Sequence, residues 1–455
     1  MSKEACSKEI TIIGAGLTGL LLGILLGRRG YSVKIYERNK DPKNSFGKRG
    51  KSINLTLCKR GISALENAGL GEEVQKLWVP VYGRCLHLNE SQIEIQPYGN
   101  YGEALYSISR QELNTLLLSV AQKTSGVSIE FGLKCIGYDL SRSSISFIDE
   151  NQNQNERPFT RLIAADGVYS AIRSQMQRNF GFNYSQYYSK HVNKELTIPA
   201  EKGKEYKLEK NHLHIWPRNE FMIIAFPNRD SSLTCTLQLP FDGNNVSFRE
   251  LNSEPEVLYH FRKLFPDAIP LLPNLVEEFF QNPEIPMMTV RCSPWHIENK
   301  ILLIGDAAHG IWPSYGQGAN AGFEDCEILC KCMEENPDNF LASFTEFQEK
   351  RLKNINSIAD LSENHFNEIR HLVTDSNFLL RKRIERKMNL LFPSEYFSLY
   401  SRIAFTTIPY KQAVELEQIY GIIIDELLNS QEIILDPDSH ESEKLIYETY
   451  RRYLR

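Results

Sequence analysis

The sequence predicts an α/β fold: a Rossmann-like nucleotide-binding domain, an inserted β-sheet domain and a C-terminal helical region. Three observations carry that expectation. A glycine-spaced turn lies between a short β-branched run and an apolar helix near the N-terminus. Two more strand–turn–helix segments follow at 164–173 and 301–323. From about residue 331 the pattern turns helical with charged faces.

The first strand is Ile10-Thr11-Ile12-Ile13, an apolar run suited to a buried parallel sheet. Gly14, Gly16 and Gly19 then spell G-x-G-x-x-G. Gly14 permits the tight turn, Gly16 clears room for a pyrophosphate at the backbone, and Gly19 lets helix and sheet pack closely. Leu17 and Thr18 open the helix, whose unpaired N–H groups and positive dipole end suit phosphates. Residues 20–26 continue it as an apolar helix. A second strand, Ser32-Val33-Lys34-Ile35-Tyr36, ends in Glu37, 18 residues after Gly19, with Arg38 beside it. A carboxylate there can bind ribose hydroxyls and repels a 2′-phosphate, so the resident nucleotide is expected to be FAD or NAD. By length, residues 10–27 could be read as a membrane span or signal peptide. Five glycines at 14, 16, 19, 23 and 27 favour the strand–turn–helix reading instead.

Composition excludes several classes. The 455 residues carry 52 basic and 57 acidic side chains, a net charge of −5, with 42% hydrophobic and 24% charged residues. That is ordinary for a globular protein, and the slight acidity speaks against a nucleic-acid partner. The nine cysteines (6, 58, 85, 135, 235, 292, 326, 330, 332) include no C-x-x-C pair. They suggest reduced thiols and a cytoplasmic location. Cys326 and Cys330 share a helix face, where buried thiols are expected. His212 and His214 lie two apart on a β-prone run, and packing beside Trp216 is favoured over a metal, so no metal site is expected. The polar run at 151–156 reads as a hairpin tip.

The second turn is Ala164-Ala165-Asp166-Gly167, leading to a helix around 171–173. The third is the strand Ile301-Leu302-Leu303-Ile304, ending in Gly305-Asp306. Then comes a Gly316-Gln317-Gly318-Ala319-Asn320 loop and a helix expected from about Phe323. Three such turns build one extended nucleotide groove, where a simple NAD dehydrogenase needs only the first. Together these motifs resemble the single-component FAD monooxygenases, the flavoprotein aromatic hydroxylases. The resemblance implies resident FAD with NADPH as co-substrate. It assigns Asp306 to the ribityl chain and pyrophosphate, and Asp166 and Gly167 to a place near both nucleotides. Arg110 would bind an FAD phosphate. The loop of Gln317, Gly318, Ala319 and Asn320 would set backbone amides and a helix start against the flavin ring. His309 would pack or bond near the flavin and is not taken as a base.

A narrower resemblance, from residue 10 to about 410, is to the kynurenine 3-monooxygenases. It rests on Gly50-Lys51-Ser52-Ile53-Asn54-Leu55, Leu213-His214-Ile215-Trp216-Pro217-Arg218-Asn219, Thr234-Cys235-Thr236-Leu237, the run at 265–271 and the run at 321–326. It implies that Arg84, Tyr98 and Tyr400 bind the substrate carboxylate. Apart from it, Arg84 reads as a surface arginine and the two tyrosines as amphipathic packing. His365 stands where the family usually has the carboxylate-binding Asn, Ile369 and Ala319 where it has Met, and Gln238 where an apolar aromatic is usual. The implied reaction converts L-kynurenine to 3-hydroxykynurenine with NADPH and O₂ through a flavin C4a-hydroperoxide, with no protein nucleophile or catalytic side chain. A hydroxylase of another aromatic acid and a non-catalytic, redox-responsive flavin protein are the alternatives. No membrane span is expected, and the hydrophobic C-terminal anchor of membrane-bound relatives is not seen, so the soluble, bacterial-type form is implied. Residues 1–70, 105–175 and 290–330 are expected to form the FAD-binding domain. Residues 75–104 and 176–289 would form a substrate-binding sheet domain, and 331–455 the helical region. The sequence gives no oligomeric state.

Overall fold

Parallel pairing in register brings the three expected turns side by side. In the computed structural model a six-stranded sheet runs His296–Ile297, Ile301–Leu303, Leu162–Ala164, Glu9–Ile13, Ser32–Glu37, Val127–Phe131. All its pairs are parallel except the His296–Ile297 edge. Ile13 pairs with Ala164 and Ala164 with Leu303, so all three strands end at one level. Their following turns therefore line one crevice at the carboxyl edge of the sheet, where such folds bind ligands. The structure describes residues 8–42, 54–88, 92–99, 102–201, 205–243, 246–371 and 376–453. Residues 50–53 of the quoted resemblance, Cys6 and the side chain of Ile369 lie outside the described residues.

The helix Leu17–Arg28 has 12 residues, and its apolar side chains are buried on nearly every side. At 1.5 Å per residue it spans about 18 Å, too short for a bilayer core of roughly 30 Å. Two of its glycines are explained by packing: a Cβ at Gly23 would stand 2.7 Å from Ile35 and one at Gly27 2.6 Å from Val127. Among the described residues no helix is long and apolar enough to cross a membrane.

The second large sheet has eight strands, in the order His309–Gly310, Ile285–Ser293, Asn183–Ile198, Leu233–Pro240, Phe221–Pro227, His212–Arg218, Gly83–His87, Ile93–Pro97. One face packs against the helices Glu254–Leu264 and Leu275–Gln281 around Trp216, Phe261, Phe265 and Phe279. The other face lines a cavity. The domain boundary expected at residue 290 falls inside the strand Ile285–Ser293, whose ladder to Asn183–Ile198 runs from Ile285 to Ser293 with one irregularity. Trp78–Val81 lies in a different sheet, pairing with Leu105–Ser109, which also pairs with Asn54–Leu57. The polar hairpin tip is shorter than expected, because residues 154–156 already belong to the strand Gln154–Pro158.

The helix after the third turn starts at Gly318, five residues before the expected Phe323, and runs to Glu335. Gln317 caps it without a side-chain hydrogen bond, so the sequence carried no capping signal there. Helices Phe340–His371, Ser376–Leu391, Leu399–Phe405, Tyr410–Leu428, Gln431–Leu435 and His440–Tyr453 follow. Part of this region has its own core, including Ile384, Met388, Tyr396, Ile424 and Tyr450.

Candidate active site

A cavity of about 720 Å³ is lined from the turns of the six-stranded sheet, the open face of the eight-stranded sheet, and the helices Phe340–His371 and Leu399–Phe405. That volume is typical of small-molecule sites. At its nucleotide end the three glycines divide their work. Gly14 adopts φ +101°, and a Cβ there would lie 2.5 Å from the Ala165 carbonyl oxygen. A Cβ on Gly19 would stand 2.0 Å from the Gly14 carbonyl oxygen, which explains its packing role and its absence from the cavity wall. Gly16 and Gly318 both line the cavity, and a Cβ on either would meet nothing within 4 Å. Their bare backbones form a cradle that a side chain would fill.

The acids of the groove are positioned by backbone amides. The Glu37 carboxylate accepts from the Ala15 N–H at 2.8 Å through Oε2 and from the Asn39 N–H and side-chain amide at 2.9 and 2.6 Å through Oε1, leaving a lone pair on Oε2 for a hydroxyl donor. Asp166 accepts from the Ala171 N–H at 2.8 Å through Oδ2, while its buried Oδ1 has no partner among the described residues. Burial pushes this carboxyl above the usual range. Asp306, Arg38, Arg110, Gly167, Leu17, Thr18 and Ala319 also line the cavity. Acceptors for hydroxyls, guanidinium groups for phosphates and two bare glycine backbones are a donor and acceptor set that fits FAD.

Two expected cofactor residues turn their side chains elsewhere. Asn320 donates to the Thr56 and Gly316 carbonyls at 2.8 and 2.7 Å and accepts from the Cys58 N–H at 3.0 Å. The Gln317 carbonyl accepts from the Tyr410 hydroxyl at 2.8 Å. Both side chains brace the start of the Gly318–Glu335 helix, and neither residue lines the cavity. His309 does not line it either, and its Nε2 lies 2.6 Å from Asp325 Oδ2.

At the opposite end, Arg84, Tyr98, His365 and Tyr400 line the same cavity although they come from separate parts of the chain. The Tyr98 and Tyr400 rings stack at 5.1 Å, Tyr315 lies 5.5 Å from Tyr400, and His365 lies 4.5 Å from Tyr315. The Arg84 Nε donates to Gln96 at 2.9 Å. Burial pushes the Tyr98 phenol up to about 12 against the pull of Arg84. Burial, with Tyr98 and Tyr315 nearby, raises Tyr400 well above its ordinary value. Both phenols therefore stay protonated and able to donate.

Sequence reasoning missed a buried ionic cluster behind the third turn. Asp325, fully buried, accepts from the Gly305 N–H at 3.1 Å and from the Arg351 Nε at 2.6 Å, besides its contact with His309. Burial opposes its charge, yet Arg351 and His309 outweigh burial and hold the carboxyl below the usual range. Arg351 also pairs with Glu324 at 2.5 Å, and Arg60 meets Glu324 at 2.7 Å. Two adjacent acids, Glu324-Asp325, inside an otherwise apolar helix segment were the available signal, because buried carboxylates need cationic partners.

Residues 7–336 match the FAD binding domain family. A kynurenine 3-monooxygenase of Flavobacterium johnsoniae is 41% identical over 429 residues, covering 94% of this chain and 95% of that protein. The chain belongs to the kynurenine 3-monooxygenase family. A relative of the same name from Dictyostelium discoideum is 38% identical over 452 residues, covering 96% of each chain. Among solved structures, 2-methyl-3-hydroxypyridine-5-carboxylic acid oxygenase shares the fold, with a TM-score of 0.65 at 20% identity over 82% of this chain and 95% of that one. HpxO of Klebsiella pneumoniae, solved with FAD and uric acid, gives a TM-score of 0.62 at 16% identity, over 82% of this chain and 90% of that one. Because these relatives align over 94% and 96% of this chain, the similarity reaches past residue 336 into the C-terminal helical region.

Proposed function

We propose that the protein hydroxylates L-kynurenine to 3-hydroxykynurenine, consuming NADPH, a proton and O₂ and releasing NADP⁺ and water. The observation that carries this reading is the meeting of Arg84, Tyr98, Tyr400 and His365 at one end of a cavity whose other end is a nucleotide groove. FAD, when bound, supplies the acceptance of a hydride and the activation of O₂.

The chain's own residues bind, orient and exclude water. Glu37, Asp166 and Asp306 accept from cofactor hydroxyls, while Arg38 and Arg110 neutralise phosphate charge. The N-terminus of the Gly318–Glu335 helix favours negative charge at the cavity wall. Arg84 holds the substrate carboxylate, and the Tyr98 and Tyr400 hydroxyls donate to it. Each charge-assisted bond contributes roughly 1.5–3 kcal/mol. His365 supplies the donor that the family draws from Asn. Leu213, Ile215, Ile224 and Phe226 offer an apolar bed for the ring and keep water from the reacting face. The reading extends to a soluble, cytoplasmic protein, supported by eight described cysteines that are all free and buried.

Purified holoprotein given L-kynurenine should consume NADPH faster and release 3-hydroxykynurenine in proportion. NADPH loss with hydrogen peroxide as the sole product would move the substrate to another aromatic acid. No response to kynurenine would refute the proposal.

A further inference from the structure

We infer that Gln238 and Asn193 form a neutral acceptor pair that reads the amine on the substrate's aromatic ring. The inference rests on the proposed kynurenine reaction and adds to it which protein groups select the ring. Gln238 and Asn193 lie directly opposite one another on the paired strands Leu233–Pro240 and Asn183–Ile198, so they share a face of the sheet. Both line the cavity and are nearly fully buried, at 4% and 2% exposure. Neither side-chain carbonyl oxygen has a hydrogen-bond partner among the described residues. Thr236, two residues from Gln238 on the same face, is likewise buried in the cavity wall with its hydroxyl unpartnered. Unsatisfied buried polar atoms are uncommon, and two amide carbonyls and a hydroxyl in one patch of a cavity wall point to a ligand that satisfies them once these side chains turn toward it.

The orientation of the Gln238 amide follows from its neighbour. Its Nε2 lies 3.8 Å from the Met287 sulfur, which can only accept, and weakly. The carbonyl is the half left for another donor. Register places the patch at the far end of the site from the cation. Arg84 is opposite Leu213, Ile215 is opposite Ile224, and Met222 is opposite Gln238. Across the sheet, the cavity face thus passes from a guanidinium, over an apolar strip, to two amides. Neutral acceptors suit a neutral donor. Kynurenine carries one such group on its ring, an uncharged aryl amine, whereas its ketone only accepts. Anchoring the carboxylate at one end and the amine at the other fixes which ring edge faces the reacting side.

The test compares L-kynurenine with its analogue lacking the ring amine, each titrated into FAD-loaded protein and followed by the flavin absorbance change. Wild type should bind kynurenine about tenfold more tightly than the analogue, equivalent to about 1.4 kcal/mol. In Gln238→Leu that preference should fall to within roughly twofold, through weaker kynurenine binding alone. The KM for kynurenine should rise with little change for NADPH, and product formed per NADPH should drop. Equal preference in wild type and Gln238→Leu would overturn the inference. So would a wild type that binds both ligands alike, a result that needs no variant to fold. Wild type that makes 3-hydroxykynurenine without preferring the amine sinks this inference alone; wild type that binds neither ligand sinks the proposed function with it.

Discussion

Replacing Asp325 by Asn tests whether the buried cluster holds the third nucleotide turn. The substitution keeps shape and removes one charge. Asp325 now accepts from three groups: the Gly305 N–H at 3.1 Å, His309 at 2.6 Å and Arg351 at 2.6 Å. An Asn has one acceptor oxygen, so its NH₂ must face at least one of these groups. Arg351, 1% exposed, would keep only Glu324 as an anionic partner among the described residues. Breaking a buried pair from one side costs about 3–5 kcal/mol. Over 455 residues, an unfolding entropy of about 2.1 cal/mol/K per residue comes to roughly 1 kcal/mol/K. The melting temperature of the FAD-free protein should therefore fall by about 3–5 °C when read by calorimetry. FAD affinity should weaken as well, because Gly305 precedes the cavity-lining Asp306. Pairing Asp325→Asn with Arg351→Met should cost less than the sum of the two single changes, since each already breaks the same contact. A melting shift below about 1 °C, or strict additivity of the pair, would refute the reasoning.

Arg84→Ala should weaken kynurenine binding by roughly tenfold to a hundredfold while FAD stays bound; unchanged kynurenine affinity would remove Arg84 from the carboxylate site. Gly16→Val should leave the melting temperature of the FAD-free protein nearly unchanged, because Gly16 has φ −74° and open room around its Cβ position, yet lower FAD affinity by at least roughly tenfold. Equal FAD affinity in that variant would argue against a pyrophosphate at this turn. Burial, then His214, lowers His87 from 6.5 to about 4. The unfolded chain then gains a proton between those values that the folded protein refuses, so stability should fall as pH drops from about 6.5 to about 4. Thermal midpoints across that range should show a shallower slope in His87→Gln; identical slopes would count against a neutral buried His87.

The nucleotide half was legible because its chemistry sits on the backbone. Gly14, Gly16 and Gly19 are spaced locally, so the turn could be read from one stretch of chain, although the close neighbour that Gly14 must accommodate, the Ala165 carbonyl, comes from the second turn. The polar side chains of the later glycine loop were not legible. Gln317 and Asn320 look like ligand groups by position, but their orientation depends on Cys58, Thr56 and Tyr410, far away in sequence. The substrate end is harder still. Arg84 lies on the strand Gly83–His87, while His365 and Tyr400 lie on the helices Phe340–His371 and Leu399–Phe405. No local period links such positions, and only resemblance to a family nominated them. Gln238 and Asn193 show the same limit, because strand pairing brings them together and a single strand's pattern does not reveal its partner.

The run Leu213 to Arg218 explains how those distant pieces keep their places. Alternation sends Leu213 and Ile215 into the cavity wall and His214 and Trp216 to the opposite face. Behind the sheet, the Trp216 indole N–H donates to Asp267 at 2.8 Å, and the His87 and Trp216 rings stack at 4.1 Å. Arg218 donates to the His87 carbonyl at 2.7 Å and to the Leu264 carbonyl at 2.8 Å. A slip of one residue would push His214 and Trp216 into the cavity and leave Asp267 without its indole partner. The polar clamp behind the sheet therefore sets the register in front of it. That register sets where Arg84 stands relative to the amides, so on the proposed reading residues that touch no ligand would position the two ends of the substrate site.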